Sequence, residues 1–236
     1  MEKKWSIISW MLGCYVLIQL SGYILSVFIG ISGKNDIIDY ASIVLNFLMG
    51  ILLFRFLKKN DSSIVLLALG FTIIADTGLI LLEDVETISV FFFVLVQLCY
   101  AIRIRQFSIV LPLKFDILVR FGLVIMCEVL ALIVLKENFN GLIGVTLLYF
   151  VNIVINLFFT LINRKQNILF TLGLLLFLLC DISLGLRMSG DFIDVSNNSL
   201  IQTITTAPID LVWMFYFPSQ VLIVLSMKYN RMVNNE

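Results

Sequence analysis

Two aspartates stand in surroundings that disfavour charge. Asp181 lies in the middle of LFLLCDISLGL, residues 176–186, and Asp76 in an equally apolar stretch, residues 64–82. If these stretches cross a bilayer as helices, an aspartate at a helix centre costs about 2.5 to 3.5 kcal/mol. The two together cost on the order of 5 to 7 kcal/mol, comparable with the net stability of an ordinary domain. Both are therefore expected to face a protein interior rather than lipid. Two carboxyl groups held close together away from water do not both ionise, so one keeps a proton it can donate while the other stays charged. That is an acid/base pair. A proton-coupled carrier uses the same arrangement, and the aspartates alone leave enzyme and transporter open.

The rest of the composition narrows the chemistry. The chain of 236 residues contains no histidine, which excludes His-ligated metal sites and His-based triads. Its four cysteines, Cys14, Cys99, Cys127 and Cys180, fall in apolar segments without a CxxC spacing, as free thiols packed among apolar side chains do. No basic cluster is interleaved with aromatics and formal net charge is zero, so the electrostatic footprint of a nucleic-acid partner is missing. Carboxylates, amides, hydroxyls and phenols remain to do any chemistry, and no metal site is expected.

The elements that position these groups follow from hydropathy. With 61% hydrophobic and 14% charged residues and a mean hydropathy of +1.06, the chain is expected to be an all-α integral membrane protein. A run of about 20 apolar residues spans a bilayer. Eight such runs occur, over residues 5–30, 37–57, 62–82, 87–103, 115–135, 141–162, 166–187 and 207–227. Lys3 and Lys4 precede the first run, which lacks a small-x-small cleavage site and is expected to be retained as a helix. Connections are short, with length only at 106–114 and 187–206, so one transmembrane domain over 1–236 is expected.

Cation placement gives an orientation. Lys3, Lys4, Arg55, Lys58, Lys59, Arg103, Arg105, Lys114, Arg164, Lys165, Lys228 and Arg231 fall on one side, and only Lys34, Lys136 and Arg187 on the other. Both termini are expected to be cytoplasmic. The third and seventh spans then run in the same direction, and Asp76 and Asp181 each lie about 14 or 15 residues in, roughly 21 Å deep at the helical rise. Gln19, Asn46, Gln97, Glu128, Tyr149, Asn152, Asn156, Tyr216 and Gln220 are the other polar groups near the middle or outer half of a span. Turned inward, they enclose a polar chamber with apolar walls.

Simpler roles compete residue by residue. Isolated amides in membrane helices commonly tie helices together, the expected role of Gln19, Asn152 and Asn156. Asp116 and Arg120 have the i,i+4 spacing of an ion pair. Asp210 falls at the outer boundary, where water solvates it, while Trp5 and Trp213 have the placement of interface anchors. A short internal echo links Ala75-Asp76-Thr77-Gly78-Leu79 with Cys180-Asp181-Ile182-Ser183-Leu184, and the following span in each half carries Gln97 or Gln220. With four spans per half, such a repeat is parallel.

Three stretches carry a resemblance. ADTGLILLEDVETISVFFFVLVQLCYAIRI, residues 75–104, resembles the third and fourth spans of the lysoplasmalogenase family, which includes the bacterial YhhN-like membrane proteins. LGLLLFLLCDISLGL, residues 172–186, is similar to a second signature of that family, and MFYFPSQVLIVL, residues 214–225, to its last helix. Span number and order match over the whole chain. By this resemblance the family's two aspartates fall on Asp76 and Asp181, its terminal-helix pair on Tyr216 and Gln220, and its fourth-span aromatic on Tyr100. Gln97 stands where the family usually has histidine. A lysine often found in its second span has no counterpart here, and Asn46 lies in the equivalent region.

The resemblance implies hydrolysis of the vinyl ether bond of lysoplasmalogens to a fatty aldehyde and a glycerophospho-ethanolamine or -choline. It implies no cofactor, a lysophospholipid substrate and a place in the cell membrane. The residues suit that chemistry: a protonated aspartic acid delivers a proton to the alkenyl carbon, and an ionised one stabilises the oxocarbenium-like cation and orients water, as paired carboxyls do in glycoside cleavage. Asn46, Gln97, Tyr216 and Gln220 are then placed to bind glycerol and headgroup. A lipid-binding or proton-coupled transport protein on the same scaffold is the alternative, and a purely structural role for the polar residues a third.

Overall fold

The structure is a computed structural model that describes residues 36–57, 60–107, 111–162, 167–188 and 210–233, with residues 9, 13, 16 and 17. Seven long helices form: α1 Asp36–Leu57, α2 Asn60–Leu81, α3 Glu86–Phe107, α4 Leu113–Leu135, α5 Gly141–Ile162, α6 Ile168–Met188 and α7 Leu211–Val233. A 3-10 turn, Lys136–Asn138, follows α4, and no strand occurs among the described residues. All seven are long and apolar enough to cross a membrane, as expected of a multi-pass membrane protein. They are the second to eighth expected spans. The first, 5–30, lies outside the described residues apart from those four isolated positions, as do Trp5, Cys14, Gln19 and most of the 187–206 connection.

Helices apolar on every face occur inside large cores or in lipid. Here the core is narrow and large side chains such as Leu67, Phe91, Phe121 and Phe158 are exposed. Close approach of the helices depends on small residues. At Gly173 of α6 an added Cβ would stand 2.7 Å from Ile223 Cγ1 and 3.1 Å from the Ser219 carbonyl of α7, and at Gly78 of α2 it would fall 2.0 Å from Ser89 Oγ of α3.

The neighbours repeat. α2 packs on α3 as α6 packs on α7; α1 lies against α2 as α5 lies against α6; and α1 touches α7 as α5 touches α3. Exchanging the two halves of the chain reproduces these contacts, which is what a parallel repeat requires. The short echo around the two aspartates thus has a counterpart in packing. The added contact of α2 with α7 breaks the equivalence.

α4 stands apart. Among the described residues its backbone packs closely on one long helix, α5, and Phe115, Ile117, Leu118, Phe121, Ile133 and Val134 are all exposed. Polar groups clip it in place. Arg120 donates from Nε to Asp116 Oδ1 at 2.9 Å, from one terminal nitrogen to Asn152 Oδ1 at 2.7 Å, and from the other to Asn156 Oδ1 at 2.9 Å. The i,i+4 pair is present as expected, and the two asparagines do tie helices together. Arg105 of α3 also donates to Asp116, at 3.2 Å.

A second clamp was not foreseen from sequence. Arg103, 1% exposed, donates from Nε and a terminal nitrogen to the two carboxylate oxygens of Asp61 at 2.6 and 3.2 Å, and to Ser226 Oγ at 2.7 Å. Its guanidinium lies 4.2 Å from the centre of the Phe170 ring. One side chain joins α2, α3, α6 and α7. α3 runs through Arg103 to Phe107, four residues past the apolar run 87–103.

Candidate functional site

Asp76 of α2 is buried and Asp181 of α6 is partly buried. Each takes a phenol. Tyr216 of α7 donates a short hydrogen bond to Asp76 Oδ2, and Tyr149 of α5 donates to Asp181 Oδ2 at 2.6 Å. Among the described residues, Oδ1 of each carboxyl makes no hydrogen bond, so each aspartate is oriented through one oxygen only. The phenols come from α5 and α7, which are not repeat equivalents, and the symmetry of the helices does not extend to these bonds.

Aromatic rings bring the two pairs into one neighbourhood. Phe177, one turn before Asp181, has its ring centre 6.3 Å from that of Tyr149 and 5.5 Å from that of Tyr216. Phe93 of α3 packs 5.7 Å from Tyr149 and 5.9 Å from Phe177. The Cys180 thiol, free and buried, directly precedes Asp181 on α6. Trp213, expected as an interface anchor, stacks on Phe217 at 4.9 Å and meets Tyr216 edge-on at 5.6 Å, so it also closes the aromatic wall.

The remaining expected site residues are Asn46 of α1, Gln97 and Tyr100 of α3, and Gln220 of α7. All are almost wholly buried. Both side-chain polar atoms of Asn46, both of Gln220, Nε2 of Gln97 and the hydroxyl of Tyr100 have no hydrogen-bond partner among the described residues. A buried polar group left unpaired costs about 1 to 3 kcal/mol, and folded proteins hold few of them. Six such atoms on four residues are hard to account for by helix packing alone. They present three amide donors, two amide acceptors and one hydroxyl. None of the four hydrogen-bonds to either aspartate, so carboxylates and amides are separate groups.

Other polar residues fall elsewhere. Asn152 and Asn156 bind Arg120 rather than an aspartate. Glu128 of α4 lies beside Gly144 of α5. Asp210 is exposed, as expected, and accepts from Arg187 at 2.9 Å. Among residues the sequence underweighted, Tyr149 has a direct bond to one of the two aspartates. Its depth marked it as polar and inward, but its partner lies 32 residues away on the next helix, which no local spacing signals.

No curated protein and no solved structure matches the chain. The model of the YhhN family matches residues 40–227. That interval reaches from α1 into α7 and takes in both aspartates, both phenols and Asn46, Gln97, Tyr100 and Gln220. The chain therefore belongs to the YhhN family.

Proposed function

We propose that this chain is a membrane-embedded hydrolase that cleaves the vinyl ether bond of lysoplasmalogens. The observation that carries the reading is the pair of phenol-oriented aspartates sharing the ring of Phe177. In this reading the scaffold has eight spans in one domain, both termini are cytoplasmic, and the protein resides in the cell membrane. Family membership is consistent with it.

One aspartic acid protonates the alkenyl carbon distal to the ether oxygen, giving an oxocarbenium ion. The other, as carboxylate, stabilises that cation and takes a proton from the attacking water. The resulting hemiacetal collapses to a fatty aldehyde and the glycerophospho-headgroup, and the proton returns to the pair, so the reaction consumes only water. Tyr149 and Tyr216 hold the carboxyls in line. Phe93, Phe177 and Trp213 shield the cation from bulk water. Asn46, Gln97, Tyr100 and Gln220 bind glycerol and headgroup oxygens.

The test is aldehyde release from a lysoplasmalogen by the purified protein, beside Asp76→Asn and Asp181→Asn. Release by wild type that vanishes in both variants, with melting temperatures retained, supports the reading. A well-folded wild type that releases nothing from either headgroup class overturns it in favour of lipid binding or transport.

A further inference from the structure

The amide of Gln97 is set by a chain of hydrogen bonds that begins on α4. Arginine has donors and no acceptor, so the atom of Asn156 that faces Arg120 must be its carbonyl oxygen, at 2.9 Å. That fixes the other end of Asn156 as the NH2 group. Nδ2 donates to the Gln97 main-chain carbonyl at 2.9 Å and to Gln97 Oε1 at 3.1 Å, which uses both of its hydrogens. Gln97 can then turn only one way: Oε1 is consumed and Nε2 is left over. Nε2 is buried and without a partner among the described residues.

We infer that Arg120 and Asn156 are positioning residues that make Gln97 a hydrogen-bond donor to an oxygen of the bound lipid, a phosphate or glycerol oxygen rather than an amine. This rests on the lysophospholipid reading above. It also concerns a step that catalysis does not enter, so binding tests it separately from turnover. Gln97 sits one turn from Phe93, which packs on Tyr149 and Phe177, and one turn from Tyr100, whose own hydroxyl is unpaired. The donor therefore lies on the α3 face that meets the aromatic wall. Arg120 holds Asn156 from α4, a helix that otherwise contributes little to the core.

The experiment measures binding of a radiolabelled saturated-ether lysophosphatidylethanolamine, which has no vinyl ether to cleave, to the full-length protein in nanodiscs. Asn156→Asp replaces the NH2 with an acceptor. Gln97 must rotate to donate to it, which turns an oxygen toward the ligand, and affinity should fall about tenfold or more. Gln97→Glu leaves Asn156 in place but removes the donor and should weaken binding by at least as much. Asn156→Asp combined with Gln97→Lys restores a group that donates both ways and should recover most of the loss.

A purely structural role gives another pattern: melting temperature falls, affinity of the folded fraction holds, and the double variant recovers nothing. Unchanged affinity in folded Asn156→Asp or in Gln97→Glu overturns the inference. So does a wild type that fails to bind the saturated lipid while still cleaving the vinyl ether. If wild type neither binds nor cleaves, the substrate reading falls and this inference falls with it.

Discussion

Replacing Arg103 with methionine keeps most of the side-chain volume and removes the charge that Asp61 is paired with. The pair is bidentate at 2.6 and 3.2 Å, with side chains 1% and 8% exposed, and the arginine also holds Ser226 at 2.7 Å. Removing one partner of a buried ion pair typically costs about 3 to 5 kcal/mol, because the other charge is stranded. For a chain of this size each kcal/mol corresponds to roughly 2 to 4 °C in melting temperature, so Arg103→Met should melt about 6 to 20 °C lower in detergent. The same logic fixes a second value. Adding Asp61→Asn removes the stranded charge, so the double variant should be more stable than Arg103→Met alone. Thermal unfolding followed by circular dichroism measures both. A shift under about 3 °C for Arg103→Met, or a double variant as unstable as the single, would refute the view that this pair clamps α2, α3 and α7.

Two further outcomes follow from the packing and the site. Gly173→Ala should destabilise the protein by about 1 to 3 kcal/mol, because its Cβ would crowd α7 backbone that cannot swing aside; Gly185→Ala, with nothing within 4 Å, is the control and should be neutral or slightly stabilising, as melting curves would show. Tyr149→Phe and Tyr216→Phe should each lower kcat for aldehyde release about tenfold or more with little change in KM, since each phenol touches a carboxylate rather than the lipid oxygens; a rise in KM alone would place the phenols in substrate binding.

The spans were legible because a bilayer demands about 20 apolar residues in a row, whatever the tertiary contacts. Expected 37–57 is α1 Asp36–Leu57, and expected 141–162 is α5 Gly141–Ile162. The apolar run of 87–103 stops at Arg103 because sequence treats that side chain as a group seeking water, whereas its partner Asp61, 42 positions away, makes burial tolerable. The aspartates stood out because an intramembrane carboxylate has few inexpensive explanations. Their bonds to phenols did not. Depth sets the level of a residue but not its azimuth around the helix, so Tyr216, expected with Gln220 to bind the headgroup, gave no sign of its bond to Asp76, which crosses 140 residues. The link from Arg120 to Gln97 was hidden the same way, since Asn156 alone resembles ordinary helix glue.

The attachment of α4 bears on biosynthesis. Arg120 ends up satisfied by two asparagines of α5, but the ribosome makes α4 first. While it leaves the translocon, Asp116, four residues earlier on the same helix, is within reach to neutralise the arginine. α4 can thus enter lipid as a locally charge-balanced segment before its neighbour exists. In the folded chain Asn152 and Asn156 hold the two terminal nitrogens while Asp116 keeps Nε, so α5 adds to a guanidinium that α4 already half satisfies.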